Sequence, residues 1–564
     1  MRPLSHILGA TTLALVALPV AALVWIALFS SGEGADWARL VAYVLPQTLR
    51  ETGLLLFGVG VVTAVVGTGT AWLVAAYDFP GRTAVSALLM LPLTVPTYMA
   101  AYAWVEMLDY AGPVQSAIRD WGGFASARDY AFPDIRSPSG AVLVLSSVLY
   151  PYVYLTARLA FALGNASALE AARTLGATGA EAFRLIALPA ARPAIVAGVS
   201  LALMESLNDI GAVETLGVRT VTFTIYDTWL SRGSLSGAAQ LAAAMLLLVV
   251  GLLWMERRGH RAATAPRERA LARQSLPAGR GLLALAACSV PVLVGFGMPA
   301  VLLATYALRR VEDWTEPALV AAASGSVTLA LLVALVTVGA VYALLQAARL
   351  GRATSVRWAA RAATFGYAMP GTVMAIGVLL PLAALDNAVD GVARLHGFST
   401  GLLLTGSLAA LVYACALRFA AIAHGAVDAG FVRIPPSVDG AARTLGSGPA
   451  GVALRVHAPL LRPALLTAAL LVFVDTMKEL PATLLMRPFG FETLATLIYT
   501  RAGQGDFEDA AFAGLIVVAI GVLPLVLTGI VSRLAVVWPK KKAGSGTNPN
   551  RQKEADRMET LRTR

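Results

Sequence analysis

Ten stretches of this chain run for 18 or more residues without an Asp, Glu, Lys or Arg, and nothing constrains its folding more. A hydrocarbon core of ~30 Å is crossed by roughly 20 helical residues, so each such stretch reads as a membrane span. They are Ile7 to Phe29, Thr52 to Tyr77, Thr83 to Val105, Ser137 to Ala157, Gly233 to Met255, Gly281 to Leu308, Pro317 to Ala348, Ala362 to Leu385, Gly397 to Leu417 and Ala510 to Ser532. Two further stretches are interrupted by acids: Pro193 to about Gly217, with Glu205 and Asp209, and Pro463 to about Met486, with Asp475 and Glu479. The expectation is an all-α polytopic membrane protein of about 12 transmembrane helices. The 57% hydrophobic and 14% charged composition agrees with that class.

The first span is too long for a signal-peptide apolar region and has no clear small-residue cleavage site, so it is read as a retained helix. Lys and Arg in short loops set orientation. Arg257 to Arg280 holds seven Arg, Arg349 to Arg361 holds four and no acid, and Lys540 to Lys542 follow the last span. Glu106 to Arg136 and Arg309 to Glu316 mix acids with bases and are expected outside. Both termini are expected in the cytoplasm of a multi-pass inner-membrane protein. The net charge of +11 is thus assigned to topology and lipid contact, with no nucleic-acid partner. Cys288 and Cys415 lie in apolar runs, so neither a disulfide nor a thiolate metal site is expected.

The chain repeats itself. A shift of 270 residues places Arg173, Thr174, Leu175 and Gly176 on Arg443, Thr444, Leu445 and Gly446. Pro189, Arg192 and Pro193 fall on Pro459, Arg462 and Pro463, Glu205 on Asp475, and Asp209 on Glu479. With a small insertion, Ile225 and Tyr226 meet Ile498 and Tyr499, while Pro96 and Pro370 each perturb a third span. Six helices per half then give two parallel repeats, with both copies of the polar loop on one side. The expected division is a first half over 1–256, a basic linker over 257–280, a second half over 281–538 and a disordered tail over 539–564.

The first loop, "SALEAARTLGATGAEAFRLIALPAARP", reads as a helix, a turn at Gly176 and a second helix from about Gly179 to Leu188. Pro189 and Pro193 suit the first turn of the span that follows. Ala171, Ala172 and Gly176 allow a partner surface to approach closely, and Phe183, Leu185 and Ile186 are candidate anchors for its groove. A single loop of this kind would pass for a basic patch on lipid headgroups; two at matched positions point to docking.

The pattern formed by Glu170, Ala171, Ala172, Gly176, Ile186, Leu188 and Pro189 resembles the EAA loop of ABC importer permeases. That resemblance implies a coupling helix docked into a cytoplasmic ATPase, in two copies for a chain with two loops, and a periplasmic substrate-binding protein. The second copy keeps Ala441, Ala442, Gly446 and Pro459. It departs at Gly440, with Asp439 one position earlier, and at Val456 and Ala458, so the first loop is expected to carry more of the docking. No Gly-x-x-x-x-Gly-Lys-Ser/Thr motif is present, so this chain is expected to hold no cofactor and to rely on its partner for ATP.

Ionisable groups deep in a span are costly and either pair with one another or face a cavity. Pairing of Asp475 or Glu479 with Lys478 is one reading. The other is a translocation route lined by Glu205, Asp209, Asp475 and Glu479, suited to a hard cation. The stretches "MESLNDIGAVETLGVRTVTFTIY" (204–226) and "FVDTMKELPATLLMRPFGFETLATLIY" (473–499) resemble fused permeases of ferric-iron importers, over nearly the whole chain. Thiamine importer permeases share the fused architecture. An ion-coupled secondary transporter using the same carboxylates would leave the duplicated loop without a role. An intramembrane enzyme is opposed by the absence of a His-rich metal motif or nucleophile elbow. No catalytic residue and no firm metal ligand are assigned, and His457 is expected at the surface of the second loop.

Overall fold

The computed structural model describes residues 2–29, 38, 40–163, 166–260, 272–350 and 354–537. Residues 261–271 of the linker between the halves and all of the tail after Val537 lie outside them. Among the described residues, ten helices are long and apolar enough to cross a bilayer, and twelve if each of two bent pairs is one span. Among the described residues the only strands are Tyr77–Asp78 and Gln274–Ser275, paired in parallel. The chain is an all-α polytopic membrane protein.

The helical elements run through the same order twice. The helix Arg2–Phe29 is followed by Leu45–Ala76, then Arg82–Leu88 and Thr97–Leu108, Pro138–Leu163, Ala166–Thr174, Leu188–Asn208, Gly211–Thr215, Val221–Leu230 and Leu235–His260. The second series has Ala278–Val292 with Met298–Arg309, Pro317–Leu350, Thr354–Ala363 and Gly371–Leu395, Leu408–Val432, Pro436–Thr444, Arg462–Met477, Pro481–Met486, Leu494–Gly503 and Phe507–Val537. The last described residues, 522–537, group as a separate unit and are helical.

Inside a bilayer, polar groups must be satisfied by the protein and helices attract one another mainly through close packing. Thr52, Thr63 and Thr70 of Leu45–Ala76 each donate to the carbonyl four residues back, at 2.7 Å. Glycine supplies the close packing. A Cβ on Gly67 would lie 2.8 Å from the carbonyl oxygen of Tyr150, and one on Gly198 would lie 2.7 Å from the Cα of Val153. Two helices thereby press their backbones against Pro138–Leu163. Each series also lends its first helix to the other. Arg2–Phe29 packs on Thr354–Ala363 and Gly371–Leu395, and its Leu15 carbonyl accepts from Tyr413 at 2.6 Å. Ala278–Arg309 packs on the first series, with the Tyr306 hydroxyl donating to Glu106 at 2.9 Å.

Five expected spans differ from the observed helices; one is Ala362 to Leu385, where an α-helix ends at Ala363 and the next starts only at Gly371, capped by Pro370, and runs to Leu395. Thr83 to Val105 is not one rod but two helical pieces bent by 93°, with Pro96 as the N-cap of Thr97–Leu108. The spans read as Pro193 to Gly217 and Pro463 to Met486 both break at their second acid, where Leu188–Asn208 and Arg462–Met477 end. The stretch Gly397 to Leu417 becomes helical only at Leu408, and the helix continues to Val432. Its first part is instead a loop turned at Gly397, Gly401 and Gly406, all of positive φ. Asp386 and Asp390 hold that loop, accepting the N–H groups of Thr405 at 2.7 Å and Thr400 at 2.8 Å. The helix therefore sits about half a span later in the sequence and carries Arg418 within it.

Candidate functional site: a charged cavity and two exposed loops

The four interrupting carboxylates, separated by up to 274 residues in sequence, line one cavity of about 70 Å³. That is room for a few water molecules. Its walls are the two broken spans, with Tyr98 and Tyr152 from the first series and Tyr367 and Arg418 from the second. The breaks have a local cause. Asp209 accepts the N–H of Ala212 at 2.8 Å, and Glu479 accepts those of Ala482 and Thr483 at 2.9 Å. Each acid thus satisfies the exposed start of a short helix, Gly211–Thr215 or Pro481–Met486, that re-enters after the break.

The charges are distributed unequally. Glu479 accepts from Arg418 at 2.7 Å with both side chains buried, and Asp475 pairs with Lys478 at 2.9 Å. Glu205 and Asp209 have no cation within 4.0 Å among the described residues, and Asp209 Oδ2, though buried, has no hydrogen-bond partner. No three His, Cys, Asp or Glu among the described residues stand close enough to hold one metal ion. Arg418 escaped the sequence reading because the span was drawn to stop just before it. The glycine-punctuated stretch from Gly397 to Gly406 was the available signal that the helix starts later.

The two loops have the same backbone. Ala166–Thr174 and Pro436–Thr444 end in turns at Gly176 (φ 88°) and Gly446 (φ 81°). In each the glycine N–H donates three residues back and the next N–H five residues back, all at 3.0 Å, which closes the helix end. A π-helical turn follows in both, Phe183–Ala187 and Val452–His457. Glu170, Ala171, Gly176, Ala441, Gly446 and Pro459 are exposed; Ala172, Ile186, Leu188 and Pro189 are partly covered, and Ala442 is buried.

Phe183 and Ile186 are not free anchors as expected: both pack inward, and the Phe183 ring lies 5.2 Å from that of Trp72. The apolar groups left outside are Leu175 (88% exposed), Leu185, Leu445 (85%) and Leu454. Leu175 and Leu445 immediately precede the matched glycines. The repeated "TLG" was the sequence signal for them.

The loops differ in how they are held. Asp439 does not stand free. It accepts from Arg349 Nε at 2.8 Å and lies 2.7 Å from His457 Nε2. Arg349 also donates to the carbonyls of Phe431 and Ile434, closing the end of Leu408–Val432. Burial opposes the charge on Asp439, but Arg349 and His457 hold its carboxyl below the ordinary value of 3.8. His457 is fully buried rather than on the surface, its Nδ1 lying 2.9 Å from Gln346 Oε1. In the first loop the internal tie is a capping box, Thr178 with Glu181, and Glu170 remains exposed.

The family described as the binding-protein-dependent transport system inner membrane component matches residues 64–258. The molybdenum transport system permease protein ModB of Escherichia coli (strain K12) is 32% identical over 198 residues, 33% of this chain and 82% of that protein. This chain belongs to that family. The Fe(3+)-transport system permease protein FbpB 2 of Haemophilus influenzae is 23% identical over 495 residues, covering 86% of this permease and 89% of that protein. The sulfate transport system permease protein CysT of Salmonella typhimurium is 31% identical over 182 residues, 32% of this permease and 62% of that protein.

Proposed function

We propose that this chain is the complete membrane part of an ATP-driven importer that carries ferric iron from a periplasmic binding protein to the cytoplasm. In this reading residues 1–256 and 281–538 are the two six-helix halves, 257–280 is a cytoplasmic linker, and 539–564 is a cytoplasmic tail. Both termini face the cytoplasm, and ATP is bound and hydrolysed by a separate ATPase in two copies.

The observation that carries the reading is the cavity. Carboxylates from matched positions of the two series meet where both spans break, and together they outnumber the cations beside them. Carboxylate oxygen suits a hard cation. The likeness to the iron permease extends over both halves, whereas the molybdenum and sulfate relatives each cover about a third of the chain. Docking of the ATPase is assigned to the knobs ending at Gly176 and Gly446, which are alike in backbone and expose a leucine at the same point.

A second reading, an oxyanion cargo, draws on Arg418 and Lys478 in the same cavity and on the molybdenum and sulfate relatives. The test is uptake of radiolabelled ferric iron, molybdate and sulfate by cells expressing the importer, with Glu205→Gln/Asp209→Asn and Asp475→Asn/Glu479→Gln variants. Loss of iron uptake in folded, ATPase-bound variants supports the first reading. Iron uptake that persists with all four acids neutralised, or uptake of the oxyanions in place of iron, refutes it.

A further inference from the structure

The repeat provides an internal control on the cavity. Glu205 corresponds to Asp475 and Asp209 to Glu479, so the acids recur in both halves; the two cations do not. Arg418 stands where the first half has Val148, and Lys478 where it has Asn208. The fold itself therefore accepts neutral side chains at both places. Asn208 fills its break by accepting the N–H of Gly371 at 2.6 Å.

The two cations are tied down to different degrees. Arg418 is buried against Glu479, which also accepts from Ala482 and from the N–H and hydroxyl of Thr483, so this acid is fully engaged in structure. Among the described residues Lys478 has one ion-pair partner, Asp475, and both side chains, which line the cavity, are about one-quarter exposed. Its ammonium is a compact charge on a flexible stem, able to swing away. The same cavity presents oxygens with nothing to bond. Asp209 Oδ2 and the Tyr98 hydroxyl line the cavity without hydrogen-bond partners among the described residues, on residues 6% and 4% exposed. Buried polar atoms of this kind are normally satisfied, and an orphan at a cavity wall is available to bond what the cavity holds, water or cargo. With Arg418 and Lys478 counted, the cavity keeps two net negative charges.

We propose that Lys478 is a resident counter-ion that occupies the place of the cargo cation in the empty permease, and that Glu205, Asp209 and Tyr98 are the oxygen ligands presented to the cargo when the lysine withdraws. The inference rests on the cation reading above. It adds that the asymmetry of the halves is functional: one half offers free ligands, while the other holds a displaceable charge that keeps the empty cavity from collecting smaller cations.

The test uses the purified full chain in nanodiscs titrated with Tb³⁺, a hard trivalent ion whose luminescence is sensitised by nearby tyrosine; Tyr98, Tyr152 and Tyr367 line the cavity. Lys478→Asn, which installs the residue the first half already uses at this position, is expected to tighten Tb³⁺ binding at least tenfold, and Lys478→Arg to leave it as in wild type. Adding Glu205→Gln or Asp209→Asn to Lys478→Asn should remove the gain, and adding Tyr98→Phe should weaken it. If Lys478→Asn does not give a monodisperse protein, Lys478→Gln carries the same comparison. Unchanged or weaker binding without the lysine overturns the proposal, as does a gain that survives both carboxylate changes. Ferric uptake is scored separately. Loss of the Tb³⁺ pattern with iron transport still dependent on the acids refutes the role of Lys478 alone, whereas the Tb³⁺ pattern without iron transport refutes the cargo and leaves the cavity assignment standing.

Discussion

Replacing Leu175 or Leu445 with Ser tests whether the two knobs are docking elements. Both side chains are almost wholly exposed, at 88% and 85%, so either can be truncated without opening a cavity in the permease. Burying a leucine side chain in a partner groove contributes about 1.5–3 kcal/mol. Ordering it costs about 0.5–1 kcal/mol. The net is ~1–2 kcal/mol per knob, or roughly a 5- to 30-fold change in affinity. The knobs sit on separate halves of the chain, so the double variant should lose about the product of the two. The assay is binding of the cognate ATPase to the permease in immobilised nanodiscs, alongside a thermal melt of the permease alone. Singles that bind within twofold of wild type would refute docking at these leucines. A melt shifted by either change would show that the side chains are not free.

Arg418→Met should destabilise the permease by about 3–5 kcal/mol by leaving Glu479 buried without its cation. Adding Glu479→Gln should restore most of the loss in a thermal melt; a single variant as stable as wild type would contradict the pairing. Asp439 is held below its ordinary value of 3.8, so its stabilisation is complete above that value and disappears as pH falls through the lower, folded one. Protection factors over 436–460, corrected for the intrinsic pH dependence of amide exchange, should therefore be flat at neutral pH and fall only below about pH 4, and a fall already at pH 6 would point to a different group. Gly67→Val should cost about 1–3 kcal/mol because its Cβ meets the backbone of Tyr150 at 2.8 Å, whereas Gly69→Ala, with nothing nearby, should be tolerated; equal yields of folded protein would contradict the packing.

Charge-free runs located most of the spans because a helix exposed to lipid tolerates few ions. The same rule failed where charge belongs inside the membrane. It ended a span before Arg418, although that side chain is neutralised by Glu479 some 61 residues away, a pairing no local window contains. The acids at 209 and 479 looked like guests in straight helices, but they end those helices and start the next. Glycine and proline told more than hydropathy there, through Pro96, Pro370 and the turns from Gly397 to Gly406. In the loops the repeat gave the backbone, turn for turn. It did not show which side chains turn inward: Phe183 is claimed by Trp72 and His457 by Gln346 and Asp439, contacts set by the packing of distant helices.

We propose that this chain works as the membrane part of a pump driven by ATP. Co-reconstitute it with its cognate ATPase and binding protein in proteoliposomes, determine the subunit ratio by native mass spectrometry, and follow accumulation of radiolabelled ferric iron. One copy of this chain with two ATPase subunits, and accumulation that requires ATP hydrolysis and ceases when both leucine knobs are changed, is the predicted result. Accumulation driven by a proton or sodium gradient without the ATPase, or two copies of this chain in the active complex, would contradict it.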